Sequence, residues 1–238
     1  AQAREILAED PSDFQTRTDR ADEMGFEVTA YHGTLTGDIE EFEKHPADLG
    51  YHFGNSKQAS ERIRLKEQER RQKEGFTGGY PQLVIVPKSE LLEGANIIPV
   101  KLKLQNPMPF VDVGDWRNSM SILRNFVDIG GIRNVDGSFN QLLNSRLYSI
   151  YEDAKDVWRP YEQENDWIES PENAEFVDEI RDIIEESGYD GIEYRNVVEG
   201  TGQSYIVFDQ SHIRSIHAAF DPEARESRNI LAARSPTI

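Results

Sequence analysis

Residues 28–59, VTAYHGTLTGDIEEFEKHPADLGYHFGNSKQA, constrain this chain more than any other stretch. A short strand-like run ends in Tyr31-His32-Gly33-Thr34, an acidic loop follows, and a second ring cluster stands at Tyr51-His52-Phe53. Asn55 or Ser56 then offers a cap for a helix that should run to about Lys73, where Gly75 stops it. Two ring clusters separated by one loop place imidazole and aromatic groups at strand ends. Gly33 has no Cβ, so a ligand can approach the backbone there closely. The stretch reads as half of a dinucleotide-binding cleft.

The rest of the chain alternates short strands with helices. Residues 2–24 carry Ile6, Leu7, Phe14 and Met24 in a polar background broken at Asp10-Pro11-Ser12, as helical turns would. Tyr80 to Pro87 has the β-branched content of a buried strand, Leu91 to Gly94 turns the chain, and Ile97 to Leu104 alternates apolar and charged residues with a period of two. Adjacent strands of this kind imply a sheet built of meanders. Trp116 to Phe126 and Phe139 to Tyr151 read as short helices. Ser170-Pro171 starts a helix whose Phe176, Val177, Ile180, Ile183 and Ile184 fall on one face. Strands follow at Tyr189 to Tyr194 and Ser204 to Phe208, joined by a loop containing Glu199-Gly200-Thr201-Gly202, and Asp209 to Ile216 reads as an edge continuation.

Composition narrows the function. No apolar run approaches the roughly 20 residues of a membrane span, the N-terminal residues have no apolar signal-peptide core, and there is no Cys, so disulfides, thiolate nucleophiles and Cys-held zinc are excluded. A cytoplasmic protein without a membrane partner is expected. The formal charge is −18, from 44 acidic against 26 basic residues. Such a field repels phosphate backbones, which argues against nucleic acid and for a basic protein partner. The basic run from Arg62 to Lys73 is interleaved with Glu61, Glu67, Glu69 and Glu74 and reads as a solvated helix face. The five His residues, at 32, 45, 52, 212 and 217, do not share metal-ligand spacing, so no metal is expected.

Three blocks in order, Tyr31-His32-Gly33-Thr34, Gly50-Tyr51-His52-Phe53-Gly54 with the helix from Ser56, and Tyr189-Asp190-Gly191-Ile192 with Ser204-Tyr205-Ile206-Val207-Phe208-Asp209, resemble an ADP-ribosyltransferase domain of the His-Tyr-Glu type. The resemblance is to the domains of phage and mobile-element polyvalent proteins and of some rifampin-modifying enzymes, over residues 26–60, 80–110 and 176–220. It implies an α+β fold, a split pair of small antiparallel sheets with flanking helices, whose cleft binds NAD as co-substrate. The domain would span 26–220, with an N-terminal helical extension at 1–25, an insertion or lid at 110–170 and a C-terminal tail at 221–238 that reads as a linker. The abrupt start at Ala1 suggests a domain cut from a longer protein.

The resemblance also implies site residues. His32 would hold a ribose hydroxyl, Gly33 and Thr34 would line the nicotinamide site, and a ring from Tyr51, His52 or Phe53 would stack on nicotinamide. Register favours His52, with Tyr51 as the alternative and Phe53 as a core residue. The family places a Glu directly before the last strand, where this chain has Ser204 preceded by Gln203; Glu199, upstream on the Gly-flanked loop, is the nearest carboxylate. The third catalytic position therefore rests on Glu199, Gln203 or Ser204. A carboxylate is wanted there because breaking the nicotinamide–ribose bond develops an oxocarbenium-like cation. The expected activity is mono-ADP-ribosylation of a host or target protein. NAD glycohydrolysis and an inactive NAD- or ADP-ribose-binding module are the alternatives.

Overall fold

Two small sheets carry the architecture. The computed structural model describes residues 11–37, 39–73, 95–161 and 163–231; the expected strand at Tyr80 to Pro87 and turn at Leu91 to Gly94 lie outside them. Strands β1 (Val28–Thr34), β3 (Asn96–Leu102) and β7 (Ile213–Ser215) form a three-stranded antiparallel sheet in the order β1-β3-β7. Strands β2 (Tyr51–Phe53), β4 (Pro107–Phe110), β5 (Gly191–Asn196) and β6 (Gly202–Val207) form a second sheet in the order β2-β6-β5-β4. The chain is α+β, with helix α1 (Pro11–Glu23) before β1 and α2 (Ser56–Lys73) after β2.

The second sheet is not a meander, and it is not wholly antiparallel. β4 and β5 run parallel, with Met108 opposite Ile192. A parallel pair needs a long crossover, and helices α3 (Ser119–Asp128), α4 (Gln141–Trp158), α5 (Glu164–Ile168) and α6 (Pro171–Glu186) provide it. Their starts are written locally: Asn118 accepts from the N–H groups of Met120 and Ser121, Asn140 from Leu143, and Ser170 from Asn173. The stretch from Asp209 to Ile216 likewise departs from an edge continuation. After a 3-10 turn at Gln210–His212 it crosses to the other sheet as β7 and pairs with β3.

The four-stranded sheet is buried on both faces. Ile192 and Ile206 pack with Leu143 and Leu147 of α4 and with Val177, Ile180 and Ile184 of α6 in the larger core. Val207 and Phe53 point the other way, toward Ala30, Val100, Leu102 and Ile213 of the three-stranded sheet. Neighbours Ile206 and Val207 thus serve different cores, as the period of two along a strand dictates. The segment from Phe220 is no linker as far as residue 231. Phe220 packs edge-on to Phe26 at 5.6 Å, Ile230 is buried in the smaller core, and Arg214, 1% exposed, donates to the carbonyls of Ala224 and Arg225. Two apolar anchors and one buried guanidinium hold a stretch whose composition is otherwise that of a tail.

Helix α2 lies directly on β1. A Cβ built on Gly33 would sit 2.1 Å from the Ala59 carbonyl oxygen, so the glycine is required by helix packing on its side-chain face. Gly33→Ala is expected to lower unfolding stability by about 2 kcal/mol by prising α2 from the sheet. Denaturant unfolding checks this, and an unchanged midpoint would contradict it.

Candidate active site

The two sheets meet where Tyr31 and Gly54 exchange backbone hydrogen bonds of 2.8 and 3.0 Å, which join the end of β1 to the end of β2. A cleft of about 460 Å³ opens at this seam. Its walls are β1, β2 and the loop before β2, α2, the loop from Asp112 to Arg117, and the ends of β5 and β6. His32, Gly33, Tyr51, His52, Phe53, Glu199 and Ser204 all line it, so seven of the nine residues singled out in the sequence converge.

The other two do not reach it. Thr34 is buried at the end of β1, where its hydroxyl accepts from the Thr36 N–H at 3.0 Å and closes a turn. Gln203 is exposed on β6 opposite Arg195. It neighbours buried Ser204 and therefore points to the opposite face.

His32 is held tightly. Its Nδ1 lies 2.9 Å from the His52 carbonyl oxygen, and its ring packs edge-on against Phe42 and tilted against Phe53 at centroid distances of 4.9 and 5.7 Å. A carbonyl only accepts, so Nδ1 carries the proton and Nε2 is left as an acceptor. Burial lowers the pKa of this imidazole to about 4, with Lys66, His52 and Arg62 acting in the same direction against the hydrogen bond to His52. The neutral ring therefore keeps a lone pair on Nε2 that can accept a hydrogen bond.

The ring cluster on β2 splits by parity. Tyr51 and Phe53 pack toward the smaller core, whereas His52 projects to the other face, 6.4 Å from the Trp116 ring. His52 Nε2 donates to Asp48 Oδ1 at 2.7 Å. Burial works against ionisation of Asp48, but the charge and hydrogen bond of His52, a backbone N–H from Gly50 and the charge of Lys44 prevail and hold its carboxyl below the ordinary range. The His52 ring is thus pinned by its edge.

Glu199 sits on a loop that is clamped from two sides. Asn196, at the end of β5, accepts from the N–H groups of Val198 and Glu199 and donates through Nδ2 to Glu199 Oε2 at 3.0 Å and to Ser204 Oγ at 3.3 Å. From the start of α2, Gln58 donates to the carbonyls of Gly200 and Gly202 at 3.3 and 3.4 Å. Gln58 also accepts from the Asn55 N–H while Asn55 caps Lys57 and Gln58, a reciprocal arrangement that makes the helix start and the loop one unit. Arg62 reaches Glu199 Oε1 at 3.5 Å. The Tyr194 hydroxyl also faces this cleft, and its pKa is driven well up by burial and by the charge of Glu199. Tyr194 therefore stays a neutral hydroxyl beside a carboxylate.

Sequence reading passed over Asp48, Arg62, Lys66, Trp116, Tyr194 and Asn196, all of which line the cleft. The basic run on α2 divides in two. Arg64 pairs with Glu61 on the same helix, as a solvated face would, but Arg70 pairs with Glu67, which is fully buried, so this part of the run is not the solvated face the sequence suggests. Ala59, Arg62, Lys66 and Glu69 instead face the cleft, and their spacing of three and four was the available signal. Compared with protein-family models, curated proteins and solved structures, the chain shows no significant match.

Proposed function

We propose that this chain is an NAD-dependent mono-ADP-ribosyltransferase of ADP-ribosyltransferase-like fold, built on the split sheet pair. The observation that carries this reading is the convergence of His32, His52 and Glu199 on one cleft, from three sequence blocks spread over more than two thirds of the chain. His32 Nε2 accepts from a ribose hydroxyl, His52 offers the ring for nicotinamide, and Glu199 stabilises the ribosyl cation as the bond to nicotinamide breaks. Asn196, Gln58 and Arg62 hold Glu199 in place, which matters because misplacing a catalytic group by an ångström costs rate heavily. The acceptor is a basic protein, as the charge of −18 favours on electrostatic grounds.

Incubation of the chain with NAD and a lysate from a target cell is expected to release nicotinamide and to label protein with ADP-ribose. Nicotinamide and free ADP-ribose without labelled protein would assign NAD glycohydrolysis to the same cleft. NAD binding by calorimetry with no nicotinamide released would leave a binding module only.

A further inference from the structure

Two lysines line the cleft, and their situations differ. Lys44 Nζ donates to the carbonyls of Asp48, His45 and Pro46 at 2.7, 3.3 and 3.4 Å, which occupies its protons and locks the loop before β2. Lys66, on α2 one turn beyond Arg62, has no hydrogen bond or ion pair with any described residue. Yet it is half-buried and lies among the groups the site is built from. Arg62 and Glu69 face it from its own helix, and Glu199 and Asp48 face it from the loops of the opposite walls. Its charge is felt in turn by His32 at the end of β1. Burial and Arg62 depress the pKa of this ammonium, against the pull of Glu69, Glu199 and Asp48. Desolvation and an adjacent cation both ease the loss of the ammonium proton, which a lysine must give up to the carboxylate beside it or to solvent before its nitrogen can act as a nucleophile.

We propose that Lys66 is the internal acceptor of this cleft and takes ADP-ribose from NAD bound in the same molecule. The inference rests on the transferase reading above. In the step, Lys66 Nζ uses its lone pair to form a bond to the anomeric carbon of the nicotinamide-bearing ribose. The bond from that carbon to the pyridinium nitrogen breaks, and nicotinamide leaves as a neutral base with the bonding electrons. The cationic nitrogen formed on Lys66 releases one proton to Glu199 or to solvent. Self-modification would fill the space between α2 and the Glu199 loop and so close the cleft to a second NAD.

The full chain is incubated with NAD labelled in the adenine, and the adduct is located by peptide mass spectrometry alongside a measurement of nicotinamide. The expected result is an adduct on Lys66, with Lys66→Arg losing at least about tenfold of the self-label because guanidinium is a poor nucleophile. Nicotinamide release with no adduct on Lys66 would overturn this inference and leave the NAD reading standing. No nicotinamide release at all would overturn both. Incubation with free ADP-ribose is the control, since an equal adduct there would mean chemical glycation and would also overturn the proposal.

Discussion

Replacing Glu199 by Gln is expected to lower NAD turnover by roughly 10³-fold while leaving NAD affinity within about twofold. The substitution is close to isosteric and keeps an oxygen to accept from Asn196 Nδ2, so the clamp on the loop survives. What disappears is the negative charge that, in the proposed transferase mechanism, meets the ribosyl cation, and that charge is wanted only as the bond to nicotinamide breaks. The loss should therefore fall on kcat and not on binding. Arg62 loses its partner at 3.5 Å, but it is an exposed guanidinium, so its release has little consequence for the fold. Single-turnover kinetics and calorimetry with NAD measure the two quantities separately. Unchanged turnover would remove Glu199 from the mechanism. Asn196→Ala is the companion variant: it retains the carboxylate and removes one side of the clamp while Gln58 still holds the loop, and its expected loss of about tenfold in kcat reports positioning.

Glu199 also shows how far the sequence carries. The carboxylate was legible because it stands on a glycine-flanked loop between two β-rich runs. Two of its holders were not, because Gln58 and Arg62 come from a helix more than 130 residues earlier and meet it only in the folded chain. Parity decided other cases. Gln203 and Ser204 are adjacent and chemically similar candidates, and only strand pairing shows that Ser204 is the inward one. Gly33 was legible as a required glycine, although the demand comes from the Ala59 carbonyl on α2.

The fold divides along the same line. Helix α6 is written in its cap and its apolar stripe, so its limits were readable. Strand β4, Pro-Met-Pro-Phe, was not. Two prolines remove backbone donors and argue against a strand, and they are tolerated because β4 is the edge of its sheet, bonded on one side to β5. With β4 unread, the parallel pair and its helical crossover cannot be inferred, and 110–170 reads as an insertion or lid. In the structure, its helices and Trp167 build the larger core, and its first loop brings Asp112, Trp116 and Arg117 to the cleft.

Acidification is expected to destabilise the folded chain through His32 by roughly 3 kcal/mol between pH 6.5 and pH 4. In the folded state this imidazole is kept neutral down to about pH 4, whereas in the unfolded chain it takes up a proton near 6.5. Between those values the unfolded chain binds more protons, so stability rises with pH across the window and is lost as pH falls through it. The cause is burial among Phe42 and Phe53, aided by the charges of Lys66 and Arg62. His212, also lowered by burial, contributes with the same sign. Asp48 contributes stability that is present above 3.8 and lost only as pH falls below that value, outside most of this window. His32→Asn separates His32 from the rest, because the amide can still donate to the His52 carbonyl but does not titrate. Denaturant unfolding at pH 7.5 and 5.0 should show the wild type losing about 2 kcal/mol more than the variant. Equal losses in the two proteins would show that His32 is not held neutral, and with that Nε2 would no longer be the acceptor that the proposed ribose contact requires.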